Sequence, residues 1–294
     1  MKDSPLISVV TANYNQGQFL QQAIESVIHQ DYENLELIVV DDGSTDEATG
    51  PVLEKFSSHP QITIIKQANA GQTVAKNVGL KAAKGDFIGF CDSDNAWIPG
   101  KLKSQLEAFR QNPDVGVVYG DIILIDDQGT DLPTAPKQRF SGNITGKLLS
   151  DNFVTFNTTL IPHSIIKEVK GFDESLSMGI DYDLWLRISV KYDFLHLNED
   201  LVRYRIWGGQ MSHRTGERLD NFFRLMEKFL KNNPGCVTKA DEARAYTHTY
   251  VTRGQWHASS GRPSDAWADY RLAFSHRPND MRLWKSGVRL LLGR

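Results

Sequence analysis

The first half of the chain alternates between short apolar runs and amphipathic segments. Four runs have the length of buried strands: LISVVT, LELIVV, ITIIK and DFIGFC. Between the first two runs, apolar residues recur at the spacing of a helix, as at Phe19, Ala23, Ile24, Val27 and Ile28. Strands that alternate with helices of this length predict a mostly parallel sheet that is covered by helices on both faces. We therefore expect an α/β fold.

Each of these predicted strands ends in a polar cluster. In chain order the clusters are ANYN, DDGS, NAG and DSDN. Ligands of parallel α/β sheets bind beyond the carboxyl ends of the strands. If the four strands are parallel, all four clusters open on one edge of the sheet, and we expect the ligand site there.

Composition and charge narrow the class of protein. The chain has 294 residues, of which 40% are hydrophobic, which is enough for one large domain or for a domain with a smaller appendage. The net charge of −3 provides no general attraction to nucleic acid. Cys91 and Cys236 do not have the spacing of a metal site or of a disulfide framework. No apolar run approaches the ~20 residues of a membrane span, and we expect a cytoplasmic protein.

The cluster CDSDN places two carboxylates one residue apart at a strand end. Carboxylates repel each other and resist burial, so Asp92 and Asp94 need a partner. One interpretation is a helix N-cap and a turn residue. The other is a divalent cation, because Mg²⁺ and Mn²⁺ prefer hard oxygen ligands and often combine one or two carboxylates with substrate phosphates.

The cluster VVDDGSTD ends a second strand on the same predicted edge. Gly43 permits a backbone turn that is closed to larger residues, so one interpretation is a simple turn. The other is a nucleotide site, because the carboxylates of Asp41 and Asp42 can accept hydrogen bonds from a base N–H or a ribose hydroxyl. The chain lacks G-x-G-x-x-G and the P-loop motif, which argues against dinucleotide and P-loop modes of binding.

Two helix starts are predicted from single residues. Asp46 can cap a helix that contains Val52, Leu53 and Phe56. Pro99 stands where a proline is tolerated in the first turn of the next helix.

After Val117 the pattern changes. YGDIILIDDQGTDL predicts a hairpin with its turn at residues 127–129, and FLHL and LVRYRIW predict two short strands. GFDESLSMGIDYDLWLRISVKY predicts an acidic cluster that leads into a helix. From about Arg214 to the end, the signals are helical.

Three blocks of the chain resemble glycosyltransferase family 2. The opening block is ISVVTANYNQGQFLQQAIESVIHQDYENLELIVVDDGSTD, the middle block is NAGQTVAKNVGLKAAKGDFIGFCDSDNAWIPGKL, and the later acidic block is GFDESLSMGIDYDLWLR. The resemblance covers roughly residues 5–210. It implies a GT-A fold at 1–214, with a nucleotide-sugar-binding half at 1–115 and an acceptor-binding half at 116–214. A helical extension would follow at 215–294.

The resemblance also implies roles for particular residues. Ala12, Asn13 and Tyr14 would form the wall against the base, and Asp42 would bind uracil or thymine. Lys76, Asn77, Asp92 and Ser93 would lie near the ribose and the diphosphate. Asp94 would bind Mg²⁺ or Mn²⁺ directly, with Asp92 beside it, and Asp181 would be the general base. Five further residues are candidates for acceptor or diphosphate contacts: Trp97, Trp185, Arg205, Trp207 and His213.

The chain departs from the family pattern at three positions. Ile180 stands where a glutamate usually precedes the catalytic aspartate, and Lys76 replaces a frequent arginine, which keeps the charge and loses the bidentate geometry. Trp207 stands where a histidine often follows YR, and His213 is near enough in sequence to substitute for it.

Two aspartates near one helix start compete for the role of base. Asp181 begins the helix, whose N-terminal dipole favours the ionised and basic form. Asp183 and Arg187 stand four residues apart and can pair on another face, which assigns Asp183 a structural role. Trp185 lies one turn beyond Asp181, where it either stacks on an acceptor sugar or belongs to the core.

The residues after the resemblance have two features of their own. Tyr250, Gly254, Ala266, Tyr270, Ala273 and Pro278 have the spacing of one tetratricopeptide-like helical pair. The last segment, MRLWKSGVRLLLGR, predicts a basic amphipathic helix. Such a helix either lies on an anionic membrane or packs on the catalytic domain with a solvated basic face.

The resemblance implies an inverting hexosyltransferase. It would move a sugar from a UDP- or dTDP-sugar to a glycan or lipid-linked acceptor in surface polysaccharide synthesis. A second interpretation is a sugar-nucleotide or glycan-binding module that has lost catalysis. A third is a nucleotidyltransferase, although TANYNQGQF lacks the basic glycine-rich loop that usually follows the first strand in this class. We expect no nucleic-acid partner, and a location in the cytoplasm or at the inner face of the cell membrane.

Overall fold

The computed structural model describes residues 2–135, 138–210 and 215–292. The chain forms two compact units. The N-terminal unit comprises residues 1–143 and 153–208, and the C-terminal unit comprises residues 144–152 and 209–294.

The described strands all belong to the N-terminal unit. They are β1 (Ile7–Asn13), β2 (Leu35–Asp41), β3 (Ile62–Lys66), β4 (Phe87–Phe90), β5 (Ala96–Trp97), β6 (Val115–Ile125), β7 (Asp131–Leu132), β8 (Leu160–Pro162) and β9 (Asp193–Arg205). The described helices are α1 (Gly17–Ile28), α2 (Thr49–Phe56), α3 (Gln72–Ala82), α4 (Lys101–Gln111), α5 (Thr145–Leu148), α6 (His163–Glu168), α7 (Ile180–Ser189), α8 (Thr215–Asn232), α9 (Lys239–Ser259), α10 (Pro263–His276) and α11 (Met281–Leu291), with a 3₁₀ turn at Phe156–Thr158.

The strands form one sheet in the order β3–β2–β1–β4–β8–β6–β9–β5, and β7 pairs with β6. The first four strands of the chain are parallel to one another, which confirms the prediction for this half. β8 runs antiparallel to both β4 and β6, and β9 runs parallel to β6. Since β8 reverses direction between them, β4 and β6 point their carboxyl ends to the same edge.

Alternate residues of β1 face two layers of helices. Ile7 and Val9 belong to a core cluster with Leu20 and Ile24 of α1. Val10 faces α3, where a Cβ at Gly79 would clash with the Val10 side chain. Glycine at this position therefore lets α3 lie close against the sheet.

The second half of this unit follows the sequence pattern in part. The predicted hairpin is confirmed, because β6 and β7 pair through Leu124 with Leu132 and Ile125 with Asp131. The prediction of two short strands at FLHL and LVRYRIW is wrong. They form the single strand β9, which pairs with β6 over most of its length through several register shifts. The register shifts accommodate the polar residues between the two apolar runs within one continuous strand.

Two predicted helix starts are also corrected. α2 begins at Thr49, and its first turn has no side-chain cap. The carboxylate of Asp46 instead accepts the backbone N–H of Gly17 at 3.1 Å, the first residue of α1. The N–H groups in the first turn of a helix have no acceptor within the helix. They can therefore donate to a side chain from a distant part of the chain. Pro99 lies just before the N-cap Gly100 of α4, outside the helix.

The C-terminal unit is helical, as predicted, and contains α5 and α8 to α11. The predicted helical pair forms from α9 and α10, whose core contains Val251, Ala266, Tyr270 and Ala273. A Cβ at Gly254 would clash with the ring of Tyr270, so this glycine permits the close packing. Among the described residues, no helix is both long enough and apolar enough to cross a bilayer.

Candidate functional site

The predicted convergence of polar clusters is present at the carboxyl edge of the sheet. Asn13, Asp41 and Lys66 stand side by side at the ends of β1, β2 and β3. The backbone N–H of Cys91, directly after β4, donates to Val10 of β1 at 3.2 Å. The loops after the four parallel strands therefore open side by side, as an edge-binding site requires.

The three residues predicted to line the base differ in accessibility. Tyr14 is 48% exposed, Ala12 is half-buried and Asn13 is buried. Nδ2 of Asn13 donates to Ser44 Oγ at 3.1 Å and to Thr49 Oγ1 at 3.2 Å. The ring of Tyr14 is thus suited to stack on a planar base, whereas Asn13 holds the segment after β2 in place.

Asp42 lies at the same edge and organises the loop after β3. Its Oδ1 accepts from Gln67 Nε2 at 2.7 Å and from the Ala70 N–H at 2.9 Å, and its Oδ2 accepts from the Gly71 N–H at 2.8 Å. A carboxylate offers about four lone-pair sites, so three of them are occupied. The predicted contact with a base would have to use the remaining site, and it stays a prediction.

Two partners fix Asp92, the first acid of the DSD sequence. Its Oδ1 forms an ion pair of 2.9 Å with Lys76 Nζ, whose charge is buried. Asn157 binds Asp92 twice, because its Oδ1 accepts the Asp92 N–H at 2.5 Å and its Nδ2 donates to Oδ2 at 2.9 Å. Ser93 is also buried, and its hydroxyl donates to the side chain of Gln16.

Asp94, the second acid, is held by groups from its own loop and from the end of β9. Its Oδ1 accepts from Asn95 Nδ2 at 2.8 Å, and its Oδ2 accepts from Trp207 Nε1 at 2.9 Å. The carbonyl of Asp94 accepts from Arg205 Nε at 3.0 Å, and the Arg205 N–H donates to Asn95 Oδ1 at 2.9 Å. The orientation of this carboxylate therefore depends on Trp207, which follows β9, and its backbone is held by Arg205, the last residue of β9.

Three of the candidates for ligand contact are buried. Arg205 donates to the carbonyls of Asp126 and Asp127 and to Gln22, and burial lowers the pKa of its guanidinium. Trp97 is in the core cluster and donates to the Phe90 carbonyl at 3.2 Å. Trp185 is 0% exposed and lies near the rings of Phe156 and Phe194. In this structure Trp97, Trp185 and Arg205 have structural roles, and their expected ligand contacts stay predictions.

Asn77 also has a structural role in this conformation. Its amide exchanges two hydrogen bonds with the backbone of Phe172, at 2.9 and 3.0 Å, and donates to Glu174 Oε1 at 2.9 Å. The amide thus ties α3 to the start of the block GFDES. The implied contact of Asn77 with ribose or diphosphate stays a prediction.

The two aspartates of α7 have different surroundings. Asp183 is buried, and its Oδ2 pairs with Arg187 Nε at 2.7 Å, which confirms the predicted pair. Arg187 also donates to the carbonyls of Val169 and Gly171 at 2.6 and 2.8 Å. Asp181 is half-buried in the first turn of the helix, two residues after the N-cap Gly179. Asp181 is thus the more accessible of the two carboxylates.

The donor set at this edge suits a cation that is shared with a substrate. Among the described residues, no group of three or more His, Cys, Asp or Glu side chains could enclose a metal ion. Asp92 and Asp94 still supply two hard oxygen ligands beside an open edge. This set fits Mg²⁺ or Mn²⁺, which keep waters and complete their shell with substrate phosphates.

Sequence reasoning missed Asn157 and Gln16, which hold the DSD loop. Neither lies in a motif that indicates this role, since both act on residues far away in the chain.

His213 lies outside the described residues. Trp207, which was predicted as a ligand contact, is half-buried and packs edge-on against Phe19 at 5.2 Å between ring centroids.

A buried amine lies at the start of α4. Lys101 Nζ stands 4.0 Å from the centroid of the Trp97 ring and donates to Gln105 Oε1 at 2.6 Å. Burial lowers the pKa of Lys101 to about 7. Burial also raises the pKa of the Cys91 thiol, so this cysteine stays protonated and unreactive at neutral pH.

Comparisons with known proteins agree with this geometry. The family model "Glycosyl transferase family 2" matches residues 8–168. An uncharacterised glycosyltransferase of Rickettsia typhi is 34% identical over 237 residues, which are 78% of this chain and 72% of that protein.

Two solved structures share the fold. The first is S. aureus TarS in complex with UDP-GlcNAc, which matches with a TM-score of 0.72 at 17% sequence identity. The match covers 98% of this chain and 89% of the TarS chain. The second is the mannosyltransferase PcManGT of Pyrobaculum calidifontis in complex with GDP-Man and Mn²⁺. It matches with a TM-score of 0.67 at 17% sequence identity, and the match covers 98% of this chain and 81% of the PcManGT chain. From the matched motifs and the shared architecture, we conclude that the chain belongs to glycosyltransferase family 2 and has the GT-A fold.

Proposed function

We propose that this protein is an inverting, metal-assisted glycosyltransferase in which Asp181 is the general base. The observation that carries the proposal is the contrast between the two acids of α7. Asp183 is buried in an ion pair with Arg187, whereas Asp181 is half-buried at the helix start. The helix dipole favours the carboxylate form of Asp181, which is the form that accepts a proton.

The donor is a UDP-sugar or a dTDP-sugar, with the base stacked on Tyr14. Both bases carry a ring N–H that the remaining lone-pair site of Asp42 can accept. The exposure of Tyr14 and the position of Asp42 at the sheet edge support this part. The UDP-GlcNAc bound to TarS adds support for uridine, at the level of the shared fold.

Asp94 holds Mg²⁺ or Mn²⁺, and Asp92 stands beside it. When bound, the cation neutralises negative charge on the leaving diphosphate. The Mn²⁺ in PcManGT supports this assignment, as does the oxygen donor set of the two acids. Lys76, now paired with Asp92, is positioned to add a second positive charge near the diphosphate.

Direct displacement then requires a proton acceptor on the face of the sugar opposite to the leaving diphosphate. The acceptor hydroxyl oxygen forms a bond to the anomeric carbon as its proton passes to the Asp181 carboxylate. The bond from that carbon to the diphosphate oxygen breaks, and its electron pair leaves with the nucleoside diphosphate. The anomeric configuration is inverted, because attack and departure occur on opposite faces.

The acceptor is a hydroxyl of a glycan or of a lipid-linked saccharide in surface polysaccharide synthesis. Family membership supports this part of the proposal. The sugar that is transferred is a hexose.

The test is a panel of UDP-, dTDP- and GDP-sugars with the purified full chain and Mn²⁺. Bound nucleotide should raise the melting temperature by mass action, with UDP- or dTDP-sugars most effective. Release of UDP or dTDP, in hydrolysis or transfer, should follow, and NMR of the product should show an inverted anomeric centre. Binding without turnover of any donor would favour a binding module, and a retained configuration would contradict inversion.

A further inference from the structure

Helix α11 in the C-terminal unit buries one face and exposes another. Its Leu283 and Ser286 are buried, and Leu283 joins the core of α9 and α10. Gln255 of α9 donates to Ser286 Oγ at 2.7 Å. Asp280 caps the helix by accepting the Arg282 N–H at 2.9 Å. The helix is thus anchored through one face, and its opposite face is available to a partner.

That opposite face carries a stripe of large apolar side chains. Met281 is 67% exposed, Trp284 54%, Val288 51% and Leu291 73%. Steps of three, four and three residues place the four on one side of an α-helix. The Trp284 ring meets the exposed ring of Phe274 edge-on at 6.0 Å between centroids, which widens the stripe onto α10. We call this set of five side chains the apolar stripe.

A row of cations runs beside the apolar stripe. Arg282, Lys285 and Arg289 follow at steps of three and four residues, and all three are exposed. Arg282 pairs with Asp280 at 3.4 Å. Lys285 and Arg289 have no ion pair within the described residues, so their charges face solvent.

We infer that the apolar stripe and its cations form a surface that docks on a lipid bilayer with anionic headgroups. Apolar side chains next to cations match the acyl chains and the headgroups of such a layer. Trp284 suits the boundary between acyl chains and headgroups, because its indole N–H donates to the Pro278 carbonyl at 2.7 Å while its ring remains exposed. The 11 residues of α11 span only ~16 Å, so the helix lies in the plane of the membrane.

A second copy of the chain is a poorer occupant of the same face. If two copies met stripe to stripe, the unpaired cations of each would lie close to those of the other. Like charges at such an interface oppose association. The inference concerns the C-terminal unit and does not depend on the transfer reaction.

The test is co-sedimentation of the full chain with vesicles of phosphatidylcholine alone or with one quarter phosphatidylglycerol. We expect binding to the anionic vesicles at low salt, little binding to phosphatidylcholine, and weaker binding at high salt. Lys285→Gln combined with Arg289→Gln should lower the partition coefficient about 30-fold, the equivalent of ~1 kcal/mol for each cation.

A second comparison uses exposed apolar residues, with one variant in the apolar stripe and one control variant outside it. Trp284→Gln combined with Leu291→Gln should abolish binding. Leu272→Gln changes an exposed leucine of α10 that lies two residues from Phe274, on another side of the helix, and should bind like wild type. Circular dichroism should show equal helix content for all variants, since every changed side chain is exposed.

Three results would overturn the inference. The intact protein could remain in the supernatant with anionic vesicles at low salt. Leu272→Gln could impair binding as much as the stripe variants do. Sedimentation equilibrium could reveal a dimer that the stripe variants dissociate, with no binding to vesicles, and the surface would then be an interface between copies.

Discussion

The indole N–H of Trp207 donates a hydrogen bond of 2.9 Å to Oδ2 of Asp94. Trp207 follows β9 and Asp94 follows β4, so two segments that are far apart in sequence meet at this bond. The ring of Trp207 packs edge-on against Phe19, which gives the donor a defined direction. The proposed metal-binding carboxylate is therefore oriented by a residue that stands where the family often has a histidine.

Trp207→Phe should weaken Mn²⁺-dependent UDP binding by roughly 10-fold, the low end of the loss that follows removal of a metal ligand's hydrogen-bond partner. The phenyl ring retains the packing on Phe19 and removes only the N–H. Calorimetric titration of UDP at several Mn²⁺ concentrations measures the effect. Trp284→Phe is the control, since it loses an indole N–H in the C-terminal unit. Wild-type Mn²⁺ dependence in Trp207→Phe would contradict the positioning role.

Asp94→Ala should remove the Mn²⁺ enhancement of UDP binding while the chain still folds. The physical reason is the loss of the carboxylate proposed to bind the cation directly, while Asp92, the second oxygen donor, remains paired with Lys76. Calorimetry with and without Mn²⁺ measures the enhancement. Asp127→Ala, an exposed acid on the β6–β7 turn, is the control. Persistence of the enhancement in Asp94→Ala would show that the cation binds elsewhere.

Asp181→Asn should lower the transfer rate by ~10²-fold or more, with unchanged UDP affinity and melting temperature, because only the proton acceptor is lost. Asp183→Asn should instead lower stability by about 2 kcal/mol, because the hydrogen bond to Arg187 is no longer between charged groups and the half-buried guanidinium loses its counter-charge. Initial rates and urea unfolding separate the two effects. A greater loss of rate in Asp183→Asn at equal stability would reverse the assignment.

Lys101 should make stability depend on pH. Its pKa is lowered to about 7 in the folded chain, below that of an exposed lysine. Between pH 7 and about 10.4 the unfolded chain therefore binds a proton that the folded chain does not, and stability rises with pH in this window by up to ~1.4 kcal/mol per unit. Below pH 7 both states bind the proton, and the effect levels off.

The Lys101→Met variant should lack this rise, although it leaves Gln105 Oε1 without its amine partner. Urea unfolding at pH 6, 7, 8 and 9 gives the comparison with wild type. Lys103→Met is the matched control, because Lys103 is exposed on the same helix and pairs with Asp31 at the surface. Parallel curves for wild type and Lys101→Met would show that the amine is not the source of the rise.

Local periodicity was sufficient to predict the parallel half of the sheet and the edge where its polar clusters meet. A strand or helix buries residues at its own fixed spacing, so the pattern of apolar residues reports the element directly. The same holds for the Asp183–Arg187 pair, whose partners are one helical turn apart. The pattern was ambiguous for β9, because the polar residues between its two apolar runs resemble a turn.

The partners of the key carboxylates were decided only by the tertiary structure. Asn157 on Asp92, Trp207 on Asp94 and the Gly71 N–H on Asp42 are contacts between distant segments. No local pattern encodes them, because a hydrogen bond depends on distance in space and not on spacing along the chain. Burial of Trp97, Trp185 and Arg205 was decided in the same way. An aromatic or cationic side chain has the same appearance in a sequence whether it faces a ligand or fills a core, and packing chooses between the two.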